Sequence, residues 1–193
     1  MYLNISNVGK IERAAIEING ITVIAGENNA GKSTIGKTLF SIFNSMNNMD
    51  EKITQERKNR VNLIVNRSLQ GKISHNIMNA SLRRRNSNTV ARTLTETIID
   101  CWNSESKPRW EDYIRNQISK TSIFDNQQDM EEFISECAEK LDELFAISDQ
   151  KVMTEVITRW FDRVFENQMS PLRDEKTESE VELIIKDKKV QLT

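Results

Sequence analysis

Residues Gly26-Glu27-Asn28-Asn29-Ala30-Gly31-Lys32-Ser33 match the pattern G-x-x-x-x-G-K-S/T at every required position. Residues of these types at this spacing suit one kind of chemistry, the grip of a polyphosphate. The glycines let the backbone curl so that successive N–H groups point inward. The same groups open a helix whose positive dipole end attracts anions. Lys32 is placed to reach the β- and γ-phosphates, the Ser33 hydroxyl to ligate Mg²⁺, and Thr34 to sit near the α-phosphate. The residues expected to hold a nucleotide are therefore Gly26, Asn28, Asn29, Ala30, Gly31, Lys32, Ser33 and Thr34, with Ser33 as the metal ligand.

A loop of this kind needs a strand to deliver it and a helix to carry it away. Residues 2–8 and 14–18 alternate apolar and polar side chains, and Asn19-Gly20 is a strong hairpin signal. Residues 21–25 (Ile-Thr-Val-Ile-Ala) run nearly all apolar, the pattern of a strand buried on both faces. From Lys32 to about Met46 the spacing turns helical, with Ile35, Leu39, Phe40 and Phe43 on one side. The first 46 residues thus read as strand, strand, strand, loop, helix.

After a polar break at Asn47, Asn48 and Asp50, helices are expected near 50–71, 87–104, 109–119, 128–146 and 149–167. Asp129 and Asp149 suit caps, and Ser87 or Asn88 could cap the second of these helices. Val152, Val156, Trp160 and Val164 form an apolar stripe in the last. Trp102, Trp110, Trp160, Phe133, Phe145, Phe161 and Phe165 also fall at helical spacings and read as core. Pro171 and the charged run 173–180 close the helical region. Residues 181–185 and 190–192 then read as strands about a turn at Asp187-Lys188, rejoining the N-terminal sheet. The expected fold is α/β, a small mixed sheet with a phosphate-binding loop and a large helical insertion. Its parts are 1–46 (strands, loop and loop helix), 47–176 (helical insertion) and 177–193 (returning strands).

Composition narrows the classes. The chain has 193 residues, room for one domain or one domain carrying a large insertion, and five of its 6 glycines fall in the first 36. An all-β sandwich or barrel needs turn residues throughout and is excluded. Cys101 and Cys137 lack metal-ligand spacing and His75 is the single histidine, so a zinc site is excluded. Neither a signal segment nor a run long enough to span a membrane is seen, and the expected location is cytoplasmic. Residues 50–92 hold ten Lys/Arg against three Asp/Glu, whereas 122–182 hold six against seventeen. The basic segment could follow a nucleic-acid backbone, but it lacks interleaved aromatics for stacking on bases. A solvated helical face opposite the acidic segment accounts for it more simply, with no ligand needed.

The class of the loop follows partly by exclusion. A GTPase needs an Asp-x-x-Gly element beyond the loop, but the later glycine, Gly71, follows Ser68 at that spacing. An Asn-Lys-x-Asp base-reading motif is absent as well. Arg83-Arg84-Arg85 is the one candidate for the arginine-rich lid of a small phosphotransferase, and a solvated turn explains it more simply.

The stretch from Tyr2 to Ile11, with Ile5-Ser6-Asn7-Val8-Gly9-Lys10-Ile11, followed by Ile21 to Thr34, resembles the N-terminus of an ABC-type ATPase. The version Gly26-Glu27-Asn28-Asn29-Ala30-Gly31-Lys32-Ser33-Thr34 is similar to that of the SMC, RecF and OLD-like branch, the AAA-type ATPases of bacterial DNA repair and anti-phage defence. The resemblance covers residues 1–46. It implies ATP and Mg²⁺ as ligands, homodimerisation through ATP-bound heads, and gating of an effector or a DNA-handling partner. It also implies elements that this chain departs from. There is no Gly-Gly pair for a signature motif, and the runs Thr97-Ile98-Ile99-Asp100 and Leu183-Ile184-Ile185-Lys186-Asp187 imitate the acidic strand without the following Glu. Gln55 and Gln70 match the family's magnesium-contacting glutamine by position only. The expectation is therefore the N-terminal portion of a longer ATPase, with little or no turnover alone. The alternatives are a small phosphotransferase, or a helical partner-binding module with a structural nucleotide site.

Overall fold

The structure, a computed structural model, describes residues 1–73, 80–104, 108–119, 121, 123–166, 178–185 and 188–192. The chain is mixed α/β and mostly helical. It divides into two compact units, one formed by 1–49 with 153–193 and the other by 50–152.

The first unit is built on a four-stranded sheet. Strands β1 (Tyr2–Val8), β2 (Ile11–Glu17), β3 (Glu180–Ile185) and β4 (Lys188–Leu192) lie in the order β2-β1-β3-β4, every pair antiparallel. The register explains the buried face. Leu3 stands between Ile16 and Leu183, and Ile5 between Ala14 and Val181, so apolar side chains line up across three strands. On the other face Asn4 Nδ2 donates to Glu182 Oε2 at 2.7 Å. At Asn7 the backbone turns to φ 55° and the inward side switches from odd to even positions, which lets Val8 join Leu3 and Ile5 in the core. Ser179 Oγ donates to the Asn7 carbonyl at 2.6 Å and holds this kink.

Two sequence expectations fail here. The sheet is antiparallel rather than mixed, and residues 21–25 form no strand. The hairpin turn is Gly9-Lys10, because Val8 pairs with Ile11 and Gly9 supplies the positive φ (57°); the bend at Asn19-Gly20 leads to no partner strand. Ile21 and Val23 are 94% and 81% exposed. The apolar run resembled an interior strand, but a strand of that kind exists only where two neighbours pair with it. Among the described residues no strand does so.

Helix α1 (Lys32–Met46) follows the loop. Its buried residues are Thr38, Ser41, Ile42 and Ser45, while Phe40, Phe43 and Met46 are exposed. The face predicted from Ile35, Leu39, Phe40 and Phe43 is therefore rotated, with Ile35 and Leu39 only partly buried. Thr38 and Ser45 satisfy their hydroxyls on the carbonyls of Thr34 and Ile42. Ile42 joins Leu3, Ile5, Val8, Val181 and Leu183 in one core. Helix α6 (Asp149–Phe165) completes it with Ile157, Phe161 and Phe165, so most of this helix belongs with the sheet rather than with the helical insertion.

The second unit is helical. It contains α2 (Met49–Leu69) from Asp50 onward, α3 (Ala80–Asn103), α4 (Trp110–Ile118) and α5 (Gln127–Ala146). Val61, Val65 and Leu69, then Leu94 and Ile98, then Trp110, Ile114 and Ile118 recur three or four apart and share one core with Phe133, Cys137, Leu141 and Phe145. Trp102 and Trp110 both stack on Phe145, at centroid distances of 4.2 and 5.1 Å.

The caps differ from expectation. Asn126, not Asp129, caps α5, its side chain accepting from the Asp129 N–H at 2.8 Å. Ser148 Oγ accepts from the Lys151 N–H at 3.3 Å at the start of α6, which leaves Asp149 for Arg57. Ser87 and Asn88 lie inside α3, which begins at Ala80.

Candidate functional site

The motif Gly26 to Ser33 lies wholly in the first unit. Gly31 adopts φ 89° and Asn29 φ 70°, left-handed conformations that curl the loop before α1. No side chain caps α1 and no acidic residue occupies its first turn. Its positive end therefore has no side-chain acid or cap against it. The Lys32 ammonium folds back over the loop, donating to the Gly26 carbonyl at 2.6 Å and to the Glu27 carbonyl.

A cleft of about 320 Å³ opens at this point, lined by Asn28, Asn29, Gly31, Lys32, Ser33 and Thr34 of the motif. Gly9 and Lys10 of the β1–β2 turn form a second wall, and Lys37 of α1 and Phe165 of α6 a third. Gly26 and Ala30 shape the loop from outside the lining, Gly26 through its carbonyl. The hairpin is held close. A Cβ on Gly9 would lie 3.8 Å from Thr34 Oγ1, and one on Gly31 would lie 2.9 Å from Ile11 Cγ1. Lys10 and Lys37 carry no signal for the site in the sequence, and Phe165 reads there only as core, which it also is. The motif defines only its own loop, and only the sheet and core bring the turn and the end of α6 to it.

The residues present fit a polyphosphate. Three lysines and two hydroxyl-bearing residues line the cleft, and no carboxylate among the described residues does. They fit magnesium less fully. Ser33 lines the cleft, and no group of three or more His, Cys, Asp or Glu able to hold a metal occurs among the described residues.

The remaining sequence candidates do not gather at the cleft. Ile98 and Ile99 are core residues of helix α3, so Thr97-Ile98-Ile99-Asp100 is not a strand. Gln55 donates to Asn59 on the surface of α2 and Gln70 is exposed beyond its end. His75, Pro171, Lys186 and Asp187 lie outside the described residues. Cys137 is buried with its thiol pushed up to about 12 by desolvation, which makes it inert as a nucleophile. The basic segment is extensively paired: Arg57 with Asp149, Lys58 with Glu96, Arg60 with Glu56 and Lys72 with Glu136. No helix among the described residues is long and apolar enough to cross a membrane.

Compared with known proteins, the chain matches no protein-family model, no curated protein and no solved structure.

Proposed function

We propose that this chain is the ATP-binding N-terminal part of an ABC/SMC-like ATPase of the cytoplasm. In this reading ATP-driven pairing of two such lobes gates an effector or a DNA-handling partner, in DNA repair or anti-phage defence. The observation that carries the reading is the cleft. An uncapped helix N-terminus, Lys32 and Ser33 face the same space as Lys10 of the hairpin, with no carboxylate among the described residues lining it. Concentrated positive potential without a balancing acid is what a triphosphate requires.

Magnesium would neutralise charge between the β- and γ-phosphates, and Ser33 is the side chain that would hold it. The general base and the acidic strand belong, in this reading, to further polypeptide. The exposure of Ile21, Val23, Phe40 and Phe43 supports a lobe completed by other chain segments. Contact with nucleic acid through residues 50–92 has less support, because five of that segment's cations, among the described residues, are already paired with carboxylates.

Calorimetry with ATP and Mg²⁺, on the chain and on Lys32→Ala, tests the reading. The expected result is binding by the wild type, at least roughly tenfold weaker in the variant, with no turnover. Steady phosphoryl transfer by the chain alone would overturn it in favour of a small phosphotransferase.

A further inference from the structure

The cleft has a wall that the phosphate-binding motif does not supply. Phe165, the last residue of α6, is the one aromatic side chain among the described residues that lines it. The residue is 6% exposed. It stacks on Phe161, with centroids 6.0 Å apart and planes 2° apart, and the Lys37 ammonium stands over it 5.7 Å from the centroid. Lys37 lies one helical turn beyond Ser33, and no carboxylate pairs with it among the described residues. Its charge is therefore available to whatever anion enters.

We propose that Phe165 is the base-stacking wall of this site and that Lys37 shields its ring until the phosphates draw the ammonium away. The inference rests on the nucleotide reading and adds where the base lies. An exposed cation–π contact is weak, while a triphosphate carries several negative charges held a few ångströms from the start of α1. The lysine gains by turning to the phosphates, and the ring face it leaves is apolar and flat. Stacking on a π-face tolerates any base, so adenine and guanine gain alike over a polyphosphate that has no base. Packing against Phe161 fixes the ring before the ligand arrives, and little side-chain ordering accompanies binding.

Titration calorimetry with MgATP, MgGTP and inorganic tripolyphosphate on the wild type, Phe165→Leu, Phe165→Tyr and Lys37→Gln tests this. Wild type should bind both nucleotides about tenfold more tightly than tripolyphosphate. Phe165→Leu should lose that preference while binding tripolyphosphate unchanged, which also shows the loop intact; Phe165→Tyr should keep it. Lys37→Gln should weaken all three ligands. Equal weakening of nucleotide and tripolyphosphate in Phe165→Leu would mean a purely structural ring and overturn the inference. Tripolyphosphate binding with no gain from a base would overturn the inference and leave the phosphate site standing. Binding of none of the three by the wild type would overturn both.

Discussion

Ile11 packs so closely against Gly31 that a Cβ added to the glycine would stand 2.9 Å from Ile11 Cγ1. The β1–β2 hairpin and the glycine-rich loop before α1 are thereby held in contact at a position that is also left-handed, φ 89°. Gly31→Ala suffers twice, from the strained φ and from the clash. A loss of about 1–3 kcal/mol in urea unfolding is expected, along with loss of nucleotide binding. Ile11→Ala in the same chain removes the clash but not the strain, so it should restore only part of the binding. Full restoration would show that φ at this position is unimportant.

Arg57 is the one buried charged side chain among the described residues of the helical unit. It is 4% exposed and donates to the carbonyls of Leu144 and Ile147 and to Asp149, with Trp102 and Phe145 against the guanidinium. Removing it takes a donor from the part-buried Ile147 carbonyl and from that of Leu144, which keeps the Ile147 N–H, so Arg57→Ala should cost about 1–3 kcal/mol in chemical denaturation. Asp149 is largely exposed, and Asp149→Asn should cost no more than about 1 kcal/mol. Equal costs would show that the ion pair, rather than the carbonyl bonds, carries the contribution.

Glu136 lies between Lys140 and Lys72, and their hydrogen bonds hold its carboxyl down to about 2 from an ordinary 4.5. A depressed folded value means the stabilisation is complete above the unfolded value and is lost as pH falls through the folded one. The window is therefore about pH 4.5 down to 2. Urea midpoints at pH 6, 4 and 2.5 should fall more steeply for wild type than for Glu136→Gln. Parallel curves would assign the acid sensitivity to other carboxylates. The partial exposure of the group limits the size of the effect.

Val23 and Phe40 already face water, at 81% and 58% exposure. Val23→Lys and Phe40→Lys should each change stability by less than about 0.5 kcal/mol in thermal unfolding of the isolated chain. A loss of several kcal/mol at Val23 would mean that residues 21–25 are a buried strand in solution.

The sequence by itself determined the loop, its glycines and most helix spans, because these depend on neighbours three or four residues away. The recurrence of Val61, Val65 and Leu69, or of Trp110, Ile114 and Ile118, is a local period that survives in any packing. Tertiary structure decided what depends on distant partners. The apolar run 21–25 carries the composition of an interior strand, yet pairing is supplied by other strands, and here β3 rather than this run lies beside β1. Helix α1 turns Ser41 and Ser45 inward and Phe40 outward, because helical periodicity marks a stripe but not which side the sheet will cover. Arg57 looked like one member of a basic segment until the end of α5 and the start of α6 surrounded it with acceptors. Phe165, more than 130 residues beyond the phosphate-binding motif, reaches the cleft only because Ile157 and Phe161 seat α6 in the core of the sheet unit.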